Sequence, residues 1–146
     1  WKGKVLSHLT RRYLSTLADE LLAMGVVIAG FKLGEMGMYL HTAKAADFSR
    51  VAALGLNLQS WADARIYLPT FAVTVAGTTG AGDSAYAGFF AALLRGLNAE
   101  DALRFANAVG ACNVEAIDST SGVRSWNETV ERIRKGWEQH SVRLLD

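Results

Sequence analysis

Gly77-Thr78-Thr79-Gly80-Ala81-Gly82-Asp83-Ser84 follows an extended apolar stretch and opens a helix. Its glycines let successive backbone N–H groups face one point. The helix start adds unpaired N–H groups and the positive end of the macrodipole. Such a place attracts phosphate oxygens. The spacing has the outline of a Walker A loop, GxxxxGK[ST], but Asp83 stands where the lysine belongs. A lysine would hold the β- and γ-phosphates, whereas an aspartate repels them at short range, so the P-loop reading is set aside. Two readings remain. Asp83 is an ordinary cap at a helix start and the glycines an ordinary turn. Alternatively, Asp83 is a general base that takes a proton from a substrate hydroxyl. The N–H groups of Gly80, Ala81, Gly82 and Asp83 then stabilise charge on a transferred phosphoryl group.

Outward from this stretch the chain alternates helix, glycine and apolar strand, the rhythm of an α/β fold. Leucines 14, 17, 21 and 22 with Tyr13 recur at helical spacing and predict a helix over 10–24, ended by Gly25. Residues 26–31 are a short apolar run that reads as a buried, parallel strand covered on both faces. Gly34 and Gly37 break it, and 38–41 form a second strand. Residues 43–54 lack a clean apolar stripe. Residues 65–75 read as extended, with Pro69 interrupting the strand or placing it at an edge. A helix follows over 83–94. Asn98 and Asp101 mark the start of another, which runs to about 116 and is rich in small residues that permit close approach of a backbone or a flat ligand. Ser125 and Glu128 have the spacing of a capping box, with Val130, Ile133 and Trp137 as the apolar face of the last helix.

Composition narrows the function class. Of 146 residues, 51% are hydrophobic and 20% charged, which predicts a folded chain with a core. Fifteen Lys+Arg against 14 Asp+Glu leave a net charge of +1, so neither nucleic acid nor an anionic membrane surface is an expected partner. A lone cysteine, Cys112, excludes an internal disulfide framework and reads as core, and three scattered histidines form no ligand motif. A reduced, cytoplasmic setting is expected. No run reaches the roughly 18 apolar residues of a membrane span. The chain opens on Trp1 rather than Met and is read as a piece of a longer one.

The block 78–84, with Ala85-Tyr86-Ala87-Gly88-Phe89 after it, closely resembles the C-terminal signature of the PfkB (ribokinase-like) carbohydrate kinase family. Lys32-Leu33-Gly34-Glu35-Met36-Gly37 resembles the family's strand and Gly-x-x-Gly turn beside the nucleotide. Phe105-Ala106-Asn107-Ala108 and Ile117-Asp118-Ser119-Thr120-Ser121-Gly122-Val123 are similar to its adenine-side helix and the following loop. The resemblance implies a three-layer α/β/α fold with a mostly parallel sheet, of which this chain is the C-terminal, nucleotide-binding part. It implies ATP and Mg²⁺ as cofactors and a sugar or sugar acid as acceptor. Asp83 corresponds to the catalytic base, and Gly80, Ala81 and Gly82 to the anion hole. Lys32, Gly34, Gly37, Thr79, Asn107, Ser119 and Gly122 fall at nucleotide-binding positions, and no residue is assigned to a metal. Gly77 stands where many members carry an acidic residue that helps hold a monovalent cation, which weakens the case for that ion. The family's sugar-contacting half and its small β-sheet lid have no counterpart here. The expected partner is therefore that N-terminal half or a second copy. A non-catalytic nucleotide-binding or assembly module is the alternative.

Overall fold

The computed structural model describes residues 9–141 and 144–146. Helix α1 (Arg11–Ala23) starts at Thr10, whose hydroxyl accepts from the Tyr13 N–H at 3.0 Å. It ends at Met24, followed by Gly25 at φ +96°. Strand β1 (Ile28–Lys32) turns through a single 3₁₀ turn (Gly34–Met36) into β2 (Met38–Thr42). A kinked 3₁₀ segment (Ala45–Leu54) and the short α2 (Leu58–Trp61) lead to β3 (Arg65–Leu68). Then come α3 (Ala81–Leu94), α4 (Ala99–Asn113) and α5 (Trp126–Arg134).

The sheet order is β1-β2-β3 and both pairings are antiparallel, with Gly30 opposite Leu40 and Leu40 opposite Ile66. This corrects the expected parallel strands. A parallel return needs a crossover of about a dozen residues or more, and the chain reverses here within residues 33–37. A second correction concerns burial. β1 is an edge strand and only partly buried, while β2 is buried along its whole length.

The pleat of β2 divides the core. Tyr39 packs with Leu14 of α1, Leu33, Met36 and Leu144. Met38 and Leu40 face the other way, toward Ala85, Phe89 and Leu93 of α3 and Leu103, Phe105 and Val109 of α4. Small residues bring these two helices together. A Cβ on Gly88 would lie 2.8 Å from Val109, and one on Gly110 would lie 3.2 Å from Ala85. The small-residue face of α4 thus receives another helix rather than a flat ligand.

Local chemistry closes the loops. Thr42 donates its hydroxyl to the Trp61 carbonyl and accepts from the Ala64 N–H at 2.9 Å, which pins the 43–63 excursion back onto β2. Strand β3 stops at Leu68 because Pro69 has no N–H to continue a ladder. Beyond it, Ala72 N–H donates to the Glu138 carbonyl at 2.8 Å, and Phe71 stacks on Trp137 with ring centroids 4.5 Å apart. Trp126 lies 4.1 Å from Phe105 and fixes α5 to α4. Ser125 and Glu128 form the expected capping box, and Asn98 caps α4 by accepting from the Asp101 N–H. No helix among the described residues is long and apolar enough to cross a membrane.

Candidate functional site

Gly80 is the N-cap of α3, at φ +75°, so the helix starts at Ala81, two residues before Asp83. A side chain at Gly80 would be strained by that angle. It would also strike Ser119, whose carbonyl would lie 2.4 Å from the Cβ. No side chain caps this helix. Its first-turn geometry is closed by Ser84 N–H donating to Gly80 O at 2.8 Å and a long 3.4 Å contact from Ala81 N–H to Thr78 O. The N–H groups of Gly80, Gly82 and Asp83 meet no acceptor among the described residues. They form a cluster of unspent donors at the positive end of a 14-residue helix.

Asp83 lies in the first turn and is exposed. Among the described residues its carboxylate has neither a hydrogen bond nor an ion pair. The capping role falls to Gly80, which leaves the Asp83 carboxylate open to solvent beside the free N–H groups.

Lys32, the last residue of β1, reaches this helix end. A Cβ on Gly82 would lie 2.1 Å from the Lys32 ammonium. The ammonium sits 4.8 Å from the Tyr86 ring centroid, and the Tyr86 hydroxyl donates to the Gly30 carbonyl at 2.9 Å. Burial pushes the Tyr86 phenol above its ordinary pKa, so it stays a neutral donor. A cation at a helix N-terminus opposes the macrodipole. Here the cation–π contact holds it there, and an arriving anion would meet both positive groups at once.

The loop after α4 forms the second wall. At Gly77 a Cβ would lie 2.7 Å from the Ile117 carbonyl, and at Gly122 one would lie 2.5 Å from the Cys112 carbonyl. Asn113, fully buried, donates its side-chain amide to the Thr79 carbonyl at 2.9 Å. Asp118 shapes the loop by accepting from the Thr120 and Ser121 N–H groups at 2.9 and 2.7 Å. The Ser121 hydroxyl and these amides hold its carboxyl at about 2.

The structure therefore gathers Lys32, Thr79, Gly80, Ala81, Gly82, Asp83 and Ser119 in one place, with Gly122 seating the same loop on α4. Three expected residues stand apart from that cluster. Asn107 is buried, and its amide donates to the Leu68 carbonyl at 3.0 Å, tying α4 to the end of β3. Gly37 is pressed onto the Leu68–Pro69 backbone, and Gly34 has open space where a Cβ would point. Sequence reasoning overlooked Asn113 and Tyr86. The available signal for Asn113 was a polar side chain inside an otherwise small, apolar helical run.

Comparison with known proteins places these features in a lineage. Residues 10–126 match the profile described as "pfkB family carbohydrate kinase". The ribokinase of Bacillus subtilis (strain 168) is 39% identical over 68 residues, covering 47% of this chain and 23% of that protein. The ribokinase of Thermotoga maritima superposes with a TM-score of 0.63 at 26% identity, covering 80% of this chain and 33% of that one. The Arabidopsis thaliana ribokinase, solved with ribose and ATP, gives a TM-score of 0.63 at 24% identity over 80% of this chain and 32% of that one. The chain thus spans about a quarter to a third of the length of these relatives. A profile match over most of its residues, on a ribokinase-like fold, makes this chain a member of the pfkB family of carbohydrate kinases.

Proposed function

We propose that this chain is the ATP-binding, C-terminal portion of a kinase that transfers a phosphoryl group to a hydroxyl of a sugar or sugar acid. The observation that carries the reading is the convergence of three unpaired N–H groups and the Lys32 ammonium beside the free Asp83 carboxylate. Gly80, Gly82 and Asp83 present their amides to phosphate oxygens, and Lys32 adds charge at the same point. Asp83 takes the proton from the acceptor hydroxyl as that oxygen attacks phosphorus. ATP supplies the phosphoryl group. In this reading Mg²⁺ accompanies the nucleotide and neutralises its β- and γ-oxygens. Ribose and ATP in the Arabidopsis ribokinase support this ligand pair for the fold.

The rest of the kinase docks along β1. Val27 O and Leu33 N–H bond toward β2, so the alternate residues Ile28, Gly30 and Lys32 turn their backbone groups to the outer edge, where the Tyr86 hydroxyl already takes the Gly30 carbonyl. Beside that edge runs an apolar cleft of ≈ 320 Å³, lined by Ile28, Gly30, Tyr86, Phe89, Phe90 and Leu94 among others. Phe90 and Leu94 are 58% and 71% exposed, an apolar surface that suits burial by the remaining two-thirds of the fold. The second reading is a non-catalytic nucleotide-binding or assembly module, which the same free N–H groups also serve.

Asp83→Asn separates the two. In the kinase reading, ATP affinity stays within about threefold while phosphoryl transfer falls by about 10³-fold, within the range for loss of a general base. The assay is coupled ADP release with a panel of sugars and sugar acids. An unchanged rate overturns the base assignment. ATP binding with no turnover on any acceptor supports the module.

A further inference from the structure

Asn113 closes α4, has no exposed surface, and carries two polar atoms with different fates. Its Nδ2 donates to the Thr79 carbonyl at 2.9 Å, whereas its Oδ1 is buried with no partner. A carbonyl oxygen only accepts, so the amide cannot be turned around without losing the bond. The Thr79–Gly80 peptide is trans and planar, so the Gly80 N–H points opposite to the Thr79 carbonyl and away from Asn113. That N–H is one of the unpaired donors at the head of α3.

The residue pair itself does not fix this orientation. Flipping the peptide changes ψ of Thr79 and φ of Gly80, and glycine accepts φ of either sign. An external lock is required, and Asn113 is the side chain bonded to this peptide. A leucine of similar volume would fill the same space without burying an unpartnered acceptor. We propose that Asn113 is a positioning residue, which holds the Thr79–Gly80 peptide so that the Gly80 N–H faces the incoming phosphate oxygen. The inference rests on reading Gly80–Asp83 as a phosphate cradle.

The test compares affinities of the full chain for ATP and for adenosine by calorimetry. Asn113→Leu lowers ATP affinity about tenfold, the weight of one hydrogen bond to a charged group, and leaves adenosine affinity within about twofold. A residue serving packing alone would not alter that ratio. An Asn113→Leu protein with an unchanged ATP-to-adenosine ratio overturns the proposal. A second measurement needs no variant. In the wild-type chain the Gly80 amide resonance moves on adding ATP and stays still on adding adenosine. If ATP leaves it unmoved while the Gly82 and Asp83 amides shift, the cradle stands and the role of Asn113 falls. If wild-type protein shows no preference for ATP over adenosine, the cradle itself is wrong and the proposal falls with it.

Discussion

Two glycine turns lie near the same end of the sheet, and they differ in what is brought up to their free N–H groups. In the 33–37 turn, Met36 N–H donates to Leu33 O, Gly37 N–H to Gly34 O, and Leu33 N–H to Gly37 O. The Tyr67 hydroxyl adds a 2.6 Å bond to Met36 O. Gly37 is there because Leu68 and Pro69 leave no room for a Cβ. In the 77–83 loop the donors of Gly80, Gly82 and Asp83 stay free, and a lysine is brought up to them. Glycine content does not distinguish a hinge from a ligand cradle. Nor do free amides alone, since the Gly34 and Glu35 N–H groups also meet no acceptor among the described residues; the helix head and the lysine placed at it do.

The largest effect that tests this contrast belongs to the hinge. Gly37→Ala places a Cβ 2.1 Å from the Leu68 carbonyl at a φ of +98°, so both backbone strain and a clash with main chain oppose it. A loss of about 3 kcal/mol or more is expected in urea unfolding. Gly34→Ala, at φ +61° with open space ahead, loses only about 1 kcal/mol. Equal losses at the two positions would show that backbone angle, not the approach of β3, governs the turn.

The cradle answers a different substitution. Lys32→Met removes a cation from the positive end of α3 and also a contact with the Tyr86 ring. The two effects oppose each other, so stability moves by no more than about 0.5 kcal/mol. ATP affinity falls about tenfold, because a charge-assisted bond to phosphate is lost. Melting curves and calorimetry together check this. A large stability loss with unchanged ATP affinity would make Lys32 a structural residue and return the 77–83 loop to the status of a plain turn.

Local and nonlocal features were unequally legible in the sequence. The loop 77–84, the capping box at Ser125 and the capping role of Asn98 are written in adjacent residues. Their geometry follows from short-range hydrogen bonds. The strands at β1 and β2 were found within a few residues, but their direction was misread. An apolar, β-branched run reports a strand and neither its partner nor how deeply it is buried. The short 33–37 connection carried the missing information, since it is too short for a parallel crossover. Asn107 and Asn113 show the limit more sharply. Both are buried asparagines on one helix, six positions apart, and nothing in the sequence around them separates their roles. Packing against β3 takes one, and packing against the glycine loop takes the other.

The smallest expected effect concerns the wall that closes on the cradle. The Asp118 carboxyl is held at about 2 against an ordinary 3.8, first by the Ser121 hydroxyl and then by the Ser121 and Thr120 amides. A depressed carboxylate pKa means that its contribution to the loop is complete above the unfolded value and fades as pH falls from 3.8 through about 2. The amide resonances of Thr120 and Ser121, followed from about pH 5 downward, therefore titrate with a midpoint near the lower value. The 33–37 turn provides the control, because its bonds run between backbone groups and from the Tyr67 hydroxyl, with no carboxylate accepting in them. Asp118→Asn keeps an acceptor oxygen but abolishes the titration. A midpoint near 3.8 in the wild-type protein would mean that the carboxylate does not hold the loop. The seat of Ser119 against Gly80 would then rest on packing alone, as Gly37 rests on Leu68 and Pro69.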